Sequence, residues 1–220
     1  MFSFKMRNIK TLFIPAKINS FINKSKILEI SKQLPKHIAI AYSIQYQDFA
    51  YEVKRILSKK HKITRFIQVL GCLKPKFTKN TQAVLLIGSG RFHGISLAYE
   101  SNLPIYIYEG NELSKISKKD IEIFKGKNKA SYLKFLNSEK IGILVSIKLG
   151  QENLKRAIEL KKKLNNKKSY IFISNNINIS EFENFSLDSW VNTACPRLDI
   201  TQLDNNIQSS ILNIDRIKGY

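Results

Sequence analysis

Short apolar runs alternate with amphipathic segments along most of the chain, and this alternation constrains the fold more than any other feature. Apolar runs of strand length occur at residues 11–16, 37–43, 66–71, 82–90, 103–110, 141–147, 169–174 and 189–194. Between them, apolar residues recur at helical spacing in residues 23–34, 48–60, 94–101, 117–140 and 152–166. Strands that alternate with helices predict an α/β protein whose parallel sheets are covered on both faces.

The alternation restarts after residues 110–117, which predicts two similar α/β domains, each a small parallel sheet flanked by helices. The first domain is expected to comprise residues 1–112 and the second residues 113–220. In the second domain, Gly126 is expected to interrupt the Lys-rich helix. Residues 205–214 are expected to form a helical tail.

The next helix, residues 152–166, is expected to turn one apolar face inward. Leu154, Ile158 and Leu164 recur at helical spacing and are predicted to form that face.

Composition excludes several classes of protein. The net charge of +20 comes mostly from Lys spread over the chain, so nucleic acid is not expected as the primary ligand. No apolar run approaches the ~20 residues of a membrane span, and we expect a cytoplasmic protein. Two distant cysteines are unlike the disulfide framework of a small secreted protein.

The two cysteines occupy equivalent places in the two halves. Cys72 follows the apolar run 66–71, and Cys195 follows the run 189–194. Carboxyl ends of parallel strands are where sites gather in open α/β sheets. A lone cysteine at a strand end is more often a small buried residue, so a shared site and simple packing both remain open at this point.

The sequence "GSGRFHG", residues 88–94, links an apolar run to a helical segment. Gly88 and Gly90 permit a tight turn close to an anion at the helix N-terminus, and Glu109 stands where a ribose-binding acid often lies. The third glycine is one position late for a dinucleotide-binding fingerprint. A nucleotide site and a structural turn are therefore about equally supported, whereas the absence of G-K-[ST] excludes a P-loop.

Two further strings follow strands of the second half. "SIKLGQ", residues 146–151, predicts a strand-to-helix turn, and "ACPR", residues 194–197, places Pro196 and Arg197 beside the second cysteine. No pair of histidines has metal-ligand spacing, and there is no C-x-x-C, so a self-contained zinc site is not expected.

Taken together, "QVLGC", "GSGRFH", "SIKLGQ" and "WVNTACPR", in this order, resemble one family. It is the family of archaeal 2-(3-amino-3-carboxypropyl)histidine synthases, which perform the first step of diphthamide formation. The resemblance extends from about residue 10 to about residue 200.

The resemblance implies a fold and a chemistry. Family members have three similar α/β domains, and each domain gives one cysteine to a 4Fe–4S cluster. The cluster cleaves S-adenosylmethionine, and the 3-amino-3-carboxypropyl radical adds to a histidine of translation elongation factor 2. The two halves of this chain match the middle and last domains, and the family's proteins are oligomers.

The resemblance of the motifs implies roles for particular residues of this chain. Cys72 and Cys195 match cluster ligands. The matches to the substrate pocket are Ser89, Gly90, Arg91, His93, Ser146, Lys148, Gly150, Gln151 and Arg197. We expect Arg91 or Arg197 to bind a carboxylate.

The chain also departs from the family pattern. The resemblance implies that the sequence lacks the family's N-terminal domain and its cysteine, so two thiolates are not expected to complete the ligand set. Ile147 stands where the family usually has Thr. We expect a separate chain to supply that domain, making this the C-terminal part of a split enzyme. Two other hypotheses are a non-catalytic basic subunit that binds elongation factor 2, and a Rossmann-like nucleotide-binding domain without iron.

Overall fold

The fold of the first half is a five-stranded sheet. The structure is a computed structural model, and it describes residues 12, 14, 16–18, 21–70, 75–178, 181, 184–196, 198 and 211–218. The strands are β1 (His37–Tyr42), β2 (Lys62–Gln68), β3 (Ala83–Ile87), β4 (Ile105–Glu109) and β5 (Glu112–Lys115). Their order is β2-β1-β3-β4-β5, and all neighbours are parallel except β4 and β5.

Three helices cover this sheet: α1 (Lys24–Ser31), α2 (Gln47–Leu57) and α3 (Arg91–Ser101). Every residue of β3 is buried, as expected for a central strand with helices on both faces. One apolar cluster joins the sheet to α1 and α2, and another joins its opposite face to α3. Each fully buried Leu, Ile or Val stabilises the fold by roughly 1.5–3 kcal/mol.

The second half forms a four-stranded parallel sheet in the order β7-β6-β8-β9. Its strands are β6 (Lys140–Ser146), β7 (Lys168–Ser174), β8 (Ser189–Asn192) and β9 (Ile211–Asn213), and its helices are α4 (Lys118–Asn137) and α5 (Leu154–Lys163). Helix α4 begins at a capping box in which Ser117 and Asp120 satisfy each other's backbone N–H groups. The predicted α/β fold class is therefore confirmed.

Three local predictions are wrong. Gly126 does not interrupt α4, because the helix runs through it without a break. Ile158 is 40% exposed, whereas Ala157 and Leu160 are the fully buried residues of α5. Of the expected helical tail, residues 205–210 lie outside the described residues, and Ile211–Asn213 form strand β9 rather than helix. A short 3₁₀ turn over Ile214–Arg216 follows, and pairing with β8 buries this apolar segment.

The predicted domain boundary falls in residues 110–117, where β5 adds an antiparallel edge to the first sheet. The division into two domains remains a prediction. Arg216, which follows β9, contacts α3 from the first half: its guanidinium lies 3.1 Å from the Glu100 carboxylate and 4.2 Å from the ring centre of Tyr99. The predicted strand at residues 11–16 lies largely outside the described residues. No helix in the described part of the chain is both long enough and apolar enough to span a membrane.

Each sheet has a point where strand order reverses. In the first sheet, the chain leaves β1 toward β2 on one side, and β3 leads to β4 on the other. In the second sheet, β6 leads to β7, and β8 leads to β9. Ligands of open α/β sheets bind at the carboxyl ends of the strands at such points, so these two edges are where a site is sought.

Candidate functional site at the carboxyl edge of the second sheet

A pocket of about 370 Å³ opens at the carboxyl edge of the second sheet. We call it the edge pocket. The residues that line it follow three neighbouring strands, β6, β7 and β8, and they are Ser146, Lys148, Gln151, Asn175, Asn176, Ile177, Ala194, Cys195 and Leu198. The parallel arrangement of these strands brings together groups up to about fifty residues apart in the sequence.

Cys195 is half-buried in this pocket on a turn that Asn192 holds. The buried amide of Asn192 donates from Nδ2 to the Cys195 carbonyl at 2.9 Å, and its Oδ1 accepts from the Ala194 N–H at 2.8 Å. The Leu198 N–H also donates to the Cys195 carbonyl, at 3.2 Å. The backbone that carries the thiol is therefore fixed by the strand end itself.

The turn after β6 presents Lys148 to the same pocket. The Lys148 N–H donates to Ser146 Oγ at 3.1 Å, and the Lys148 carbonyl accepts from the Gln151 N–H at 2.9 Å. Gly150 has a φ of +80°, a conformation that favours glycine. Gly150 thus shapes the turn, while Ser146, Lys148 and Gln151 line the pocket.

The glycine loop lies at the carboxyl edge of the first sheet. Gly90 has a φ of +86°, and its N–H approaches Glu109 Oε2 at 3.4 Å. Ser89 precedes this turn, and Arg91 and His93 belong to the first turn of α3. The carboxylate of Glu109 therefore faces the Gly90 N–H, which is the amide that would donate a hydrogen bond to a nucleotide phosphate.

Arg91 forms an ion pair across to α4. Its guanidinium lies 2.6 Å from Asp120 Oδ2, and the same oxygen accepts from Ser117 Oγ at 2.6 Å. The hydrogen bond from Ser117, together with the charge of Arg91, lowers the pKa of Asp120. Arg91 is thus engaged within the protein.

The structure brings four of the predicted residues together: Ser146, Lys148, Gln151 and Cys195 line the edge pocket. The described contacts of Gly90 and Arg91 belong to the first sheet and α4. Cys72 and Arg197 lie outside the described residues. Within the described ranges, no three His, Cys, Asp or Glu side chains are grouped as metal ligands.

Sequence reasoning missed Asn175 and Asn176, which line the pocket from the end of β7. Asparagine after a strand normally indicates a turn, and their position at a carboxyl edge was the available signal. A larger cavity of about 610 Å³ lies between α3 and the start of α4. Its walls are mostly apolar side chains and exposed lysines, and its hydroxyl, Ser117, caps α4. No thiol lines it, so the smaller edge pocket has the more specific chemistry.

Comparisons with known proteins agree on one family. A family described as "Putative diphthamide synthesis protein" matches residues 2–206. The 2-(3-amino-3-carboxypropyl)histidine synthase of Pyrococcus horikoshii is 29% identical over 208 residues, which are 87% of this chain and 60% of the relative. That of Methanocaldococcus jannaschii is 31% identical over 212 residues, covering 89% of this chain and 58% of the relative.

Solved structures give the same result. The crystal structure of Dph2 from Pyrococcus horikoshii superposes with a TM-score of 0.71 at 28% identity, covering 86% of this chain and 58% of that one. The structure of the same protein with a 4Fe–4S cluster gives a TM-score of 0.70 at 26% identity. This chain spans about three fifths of the length of these relatives. From the match over nearly its whole length, the chain belongs to the diphthamide synthesis family.

Proposed function

We propose that this chain is part of a 4Fe–4S enzyme that transfers the 3-amino-3-carboxypropyl group from S-adenosylmethionine to a histidine of translation elongation factor 2. The family membership supports the reaction class, and one neighbour in the comparison contains a 4Fe–4S cluster. The observation in this chain that carries the proposal is Cys195, a half-buried thiol in a polar pocket at a strand-order reversal.

The residues of the edge pocket fit one cysteine ligand of such a cluster. Iron–sulfur clusters are held by Cys thiolates, and their properties depend on nearby hydrogen bonds and solvent exposure. Cys195 is the single cysteine among the described residues. Cys72, the other cysteine of the sequence, is the second proposed ligand.

When bound, the cluster would supply the electron that cleaves S-adenosylmethionine. The chain's own residues would do the rest. Asn192 fixes the backbone that carries the Cys195 thiolate, and the amides of Gln151, Asn175 and Asn176 line the space beside it. The glycine loop, with Ser89, Gly90 and His93, is proposed as a second wall of the substrate site.

We further propose that a separate chain supplies the third thiolate. The sequence has two cysteines, and the family's cluster takes three. The chain that completes the set would bring the family's N-terminal domain against the carboxyl edges of both sheets.

The experiment is anaerobic reconstitution with iron and sulfide. Iron content, visible absorbance and methylthioadenosine formation would be measured for this chain alone, and for the chain mixed with the N-terminal domain of the Methanocaldococcus jannaschii relative. We expect stable iron binding and product only in the mixture, with elongation factor 2 modified at one histidine.

Two cysteine variants and one control sharpen this test. Cys72→Ser and Cys195→Ser should each lose the iron and the product, because serine is a poor ligand for this cluster. Ser114→Ala changes an exposed hydroxyl on β5, outside the edge pocket, and should retain both. Normal methylthioadenosine formation by either cysteine variant would contradict the proposed function, and full activity of this chain alone would contradict the separate chain.

A further inference from the structure

Lys148 is the one charged residue among the described residues that line the edge pocket. The others offer a thiol, a hydroxyl, three carboxamides and apolar groups. A pocket with one fixed positive charge and several neutral polar groups favours a ligand with one negative charge over a polyphosphate. This preference for a single negative charge indicates which part of a substrate binds in the edge pocket.

The ammonium group of Lys148 has no hydrogen-bond or ion-pair partner among the described residues; its contacts there are made by its backbone. Arg91, the other cation expected near the substrate, lies 2.6 Å from Asp120. Binding a carboxylate through Arg91 would therefore compete with an existing ion pair, whereas Lys148 is available.

The backbone around Lys148 is held in place. Ser146, which is 2% exposed, accepts the Lys148 N–H, and Gln151 closes the turn from the other side. The side chain thus extends from a fixed point at the mouth of the pocket. Lys148 itself is exposed, so its ammonium can reach a ligand from a backbone that needs no rearrangement.

We infer that Lys148 binds the carboxylate of the aminocarboxypropyl end of the substrate, and that this end, rather than the adenosine, lies in the edge pocket. The inference rests on the proposed function, since that is what identifies the substrate. Carboxylates form their strongest hydrogen bonds with charged donors. The amides of Gln151 and Asn176 lie in the same pocket and would donate to the remaining oxygen.

The test is equilibrium dialysis of the anaerobically reconstituted mixture of this chain and the N-terminal domain of the Methanocaldococcus jannaschii relative. Two labelled compounds are compared, S-adenosylmethionine and its decarboxylated analogue. We expect the unsubstituted protein to bind S-adenosylmethionine about tenfold more tightly, as for one charge-assisted hydrogen bond in a partly exposed site. Lys148→Met should remove that preference by weakening S-adenosylmethionine alone. Lys148→Arg should restore much of it.

Lys155→Met is the matched control, because Lys155 is exposed on α5 and does not line the pocket. It should keep the full preference. A Lys148→Met protein that still prefers the carboxylated compound would overturn the inference while leaving the proposed function intact. Binding of neither compound by the unsubstituted protein would contradict the proposed function itself, and the inference with it.

Discussion

The carboxyl edges of the two sheets have the same architecture, but they differ in whether their polar groups have partners within the protein. At the first edge, the Gly90 N–H faces Glu109 and the Arg91 guanidinium faces Asp120. At the second edge, the Lys148 ammonium and the amide of Gln151 have no side-chain partner among the described residues. Polar groups satisfied within the protein shape the surface, whereas groups left without partners are available to a ligand.

The two edges also differ in the structural elements that support them. The first edge depends on α4, because Asp120 both caps that helix and pairs with Arg91. The second edge depends on its own strands, since Asn192 at the end of β8 fixes the turn that carries Cys195. Three substitutions test whether these supports are as separate as the contacts indicate.

The largest effect is expected at Gly142, in the middle of β6. A Cβ there would overlap ring atoms of Trp190, which is 2% exposed and packed by Phe172. Gly142→Ala should destabilise the second sheet by about 3 kcal/mol, because a rigid buried ring cannot move aside. Urea unfolding followed by circular dichroism measures this change.

Gly126→Ala is the control for that experiment. It adds the same methyl group to the exposed middle of α4, where a Cβ would meet open space. We expect stabilisation of about 1 kcal/mol, from the better helix propensity of Ala. Equal effects of the two substitutions would show that the packing of Trp190 does not hold the second sheet.

A smaller effect is expected at Asp120, on which the first edge depends. Asp120→Ala removes half of the capping box and the partner of Arg91, and should cost about 1 kcal/mol. The control is Asp48→Ala, which removes an exposed ion pair with Lys17 and an acidic residue from the first turn of α2, but no capping box, and should cost about half a kcal/mol. Thermal unfolding measures both, and equal losses would mean that the Asp120 network adds nothing.

The smallest effect is a dependence of stability on pH that rests on two carboxylates, one at the start of α4 and one just before β8. The hydrogen bond from Ser117 lowers the pKa of Asp120, and the backbone N–H of Lys140 lowers the pKa of Asp188. A carboxylate whose folded pKa is depressed stabilises the fold above its unfolded pKa of about 3.9, and this stability is lost as pH falls through the folded pKa.

The unfolding free energy should therefore fall below about pH 4. Asp188→Asn should flatten part of that fall. Urea unfolding at several pH values between neutral and acid conditions measures the slope. Parallel curves for Asp188→Asn and the unsubstituted protein would contradict the role of the Lys140 hydrogen bond.

Much of the fold could be predicted because apolar periodicity is a local property of the sequence. The run "AVLLI" became the central strand β3, and the helical spacing of apolar residues in residues 48–60 predicted α2. Strand β5 could not be found this way, since its four residues are mostly exposed and its pairing with β4 fixes it. The short apolar run at Ile211 fits a helix or a strand equally well, and only the neighbouring β8 decides.

The candidate site was predictable where it depends on strand ends. The positions of Cys195 and Lys148 follow from the apolar runs before them, and the structure places both in one pocket. The pairing of Arg91 with Asp120 joins residues 29 apart in the sequence, so it depends on how α3 packs against α4. No local pattern reports such a contact, so the sequence could not indicate that Arg91 pairs with Asp120. Binding of the substrate carboxylate by Arg91 stays a prediction.

Trp190 is the only tryptophan of the chain, and it lies on the strand that leads to Cys195. Its indole is enclosed by Gly142, Phe172 and Phe185, all from the second half. The tryptophan emission of the protein therefore reports on the second sheet without a label. An iron–sulfur cluster bound beside Cys195, as proposed, would quench that emission, so cluster binding can be followed by fluorescence.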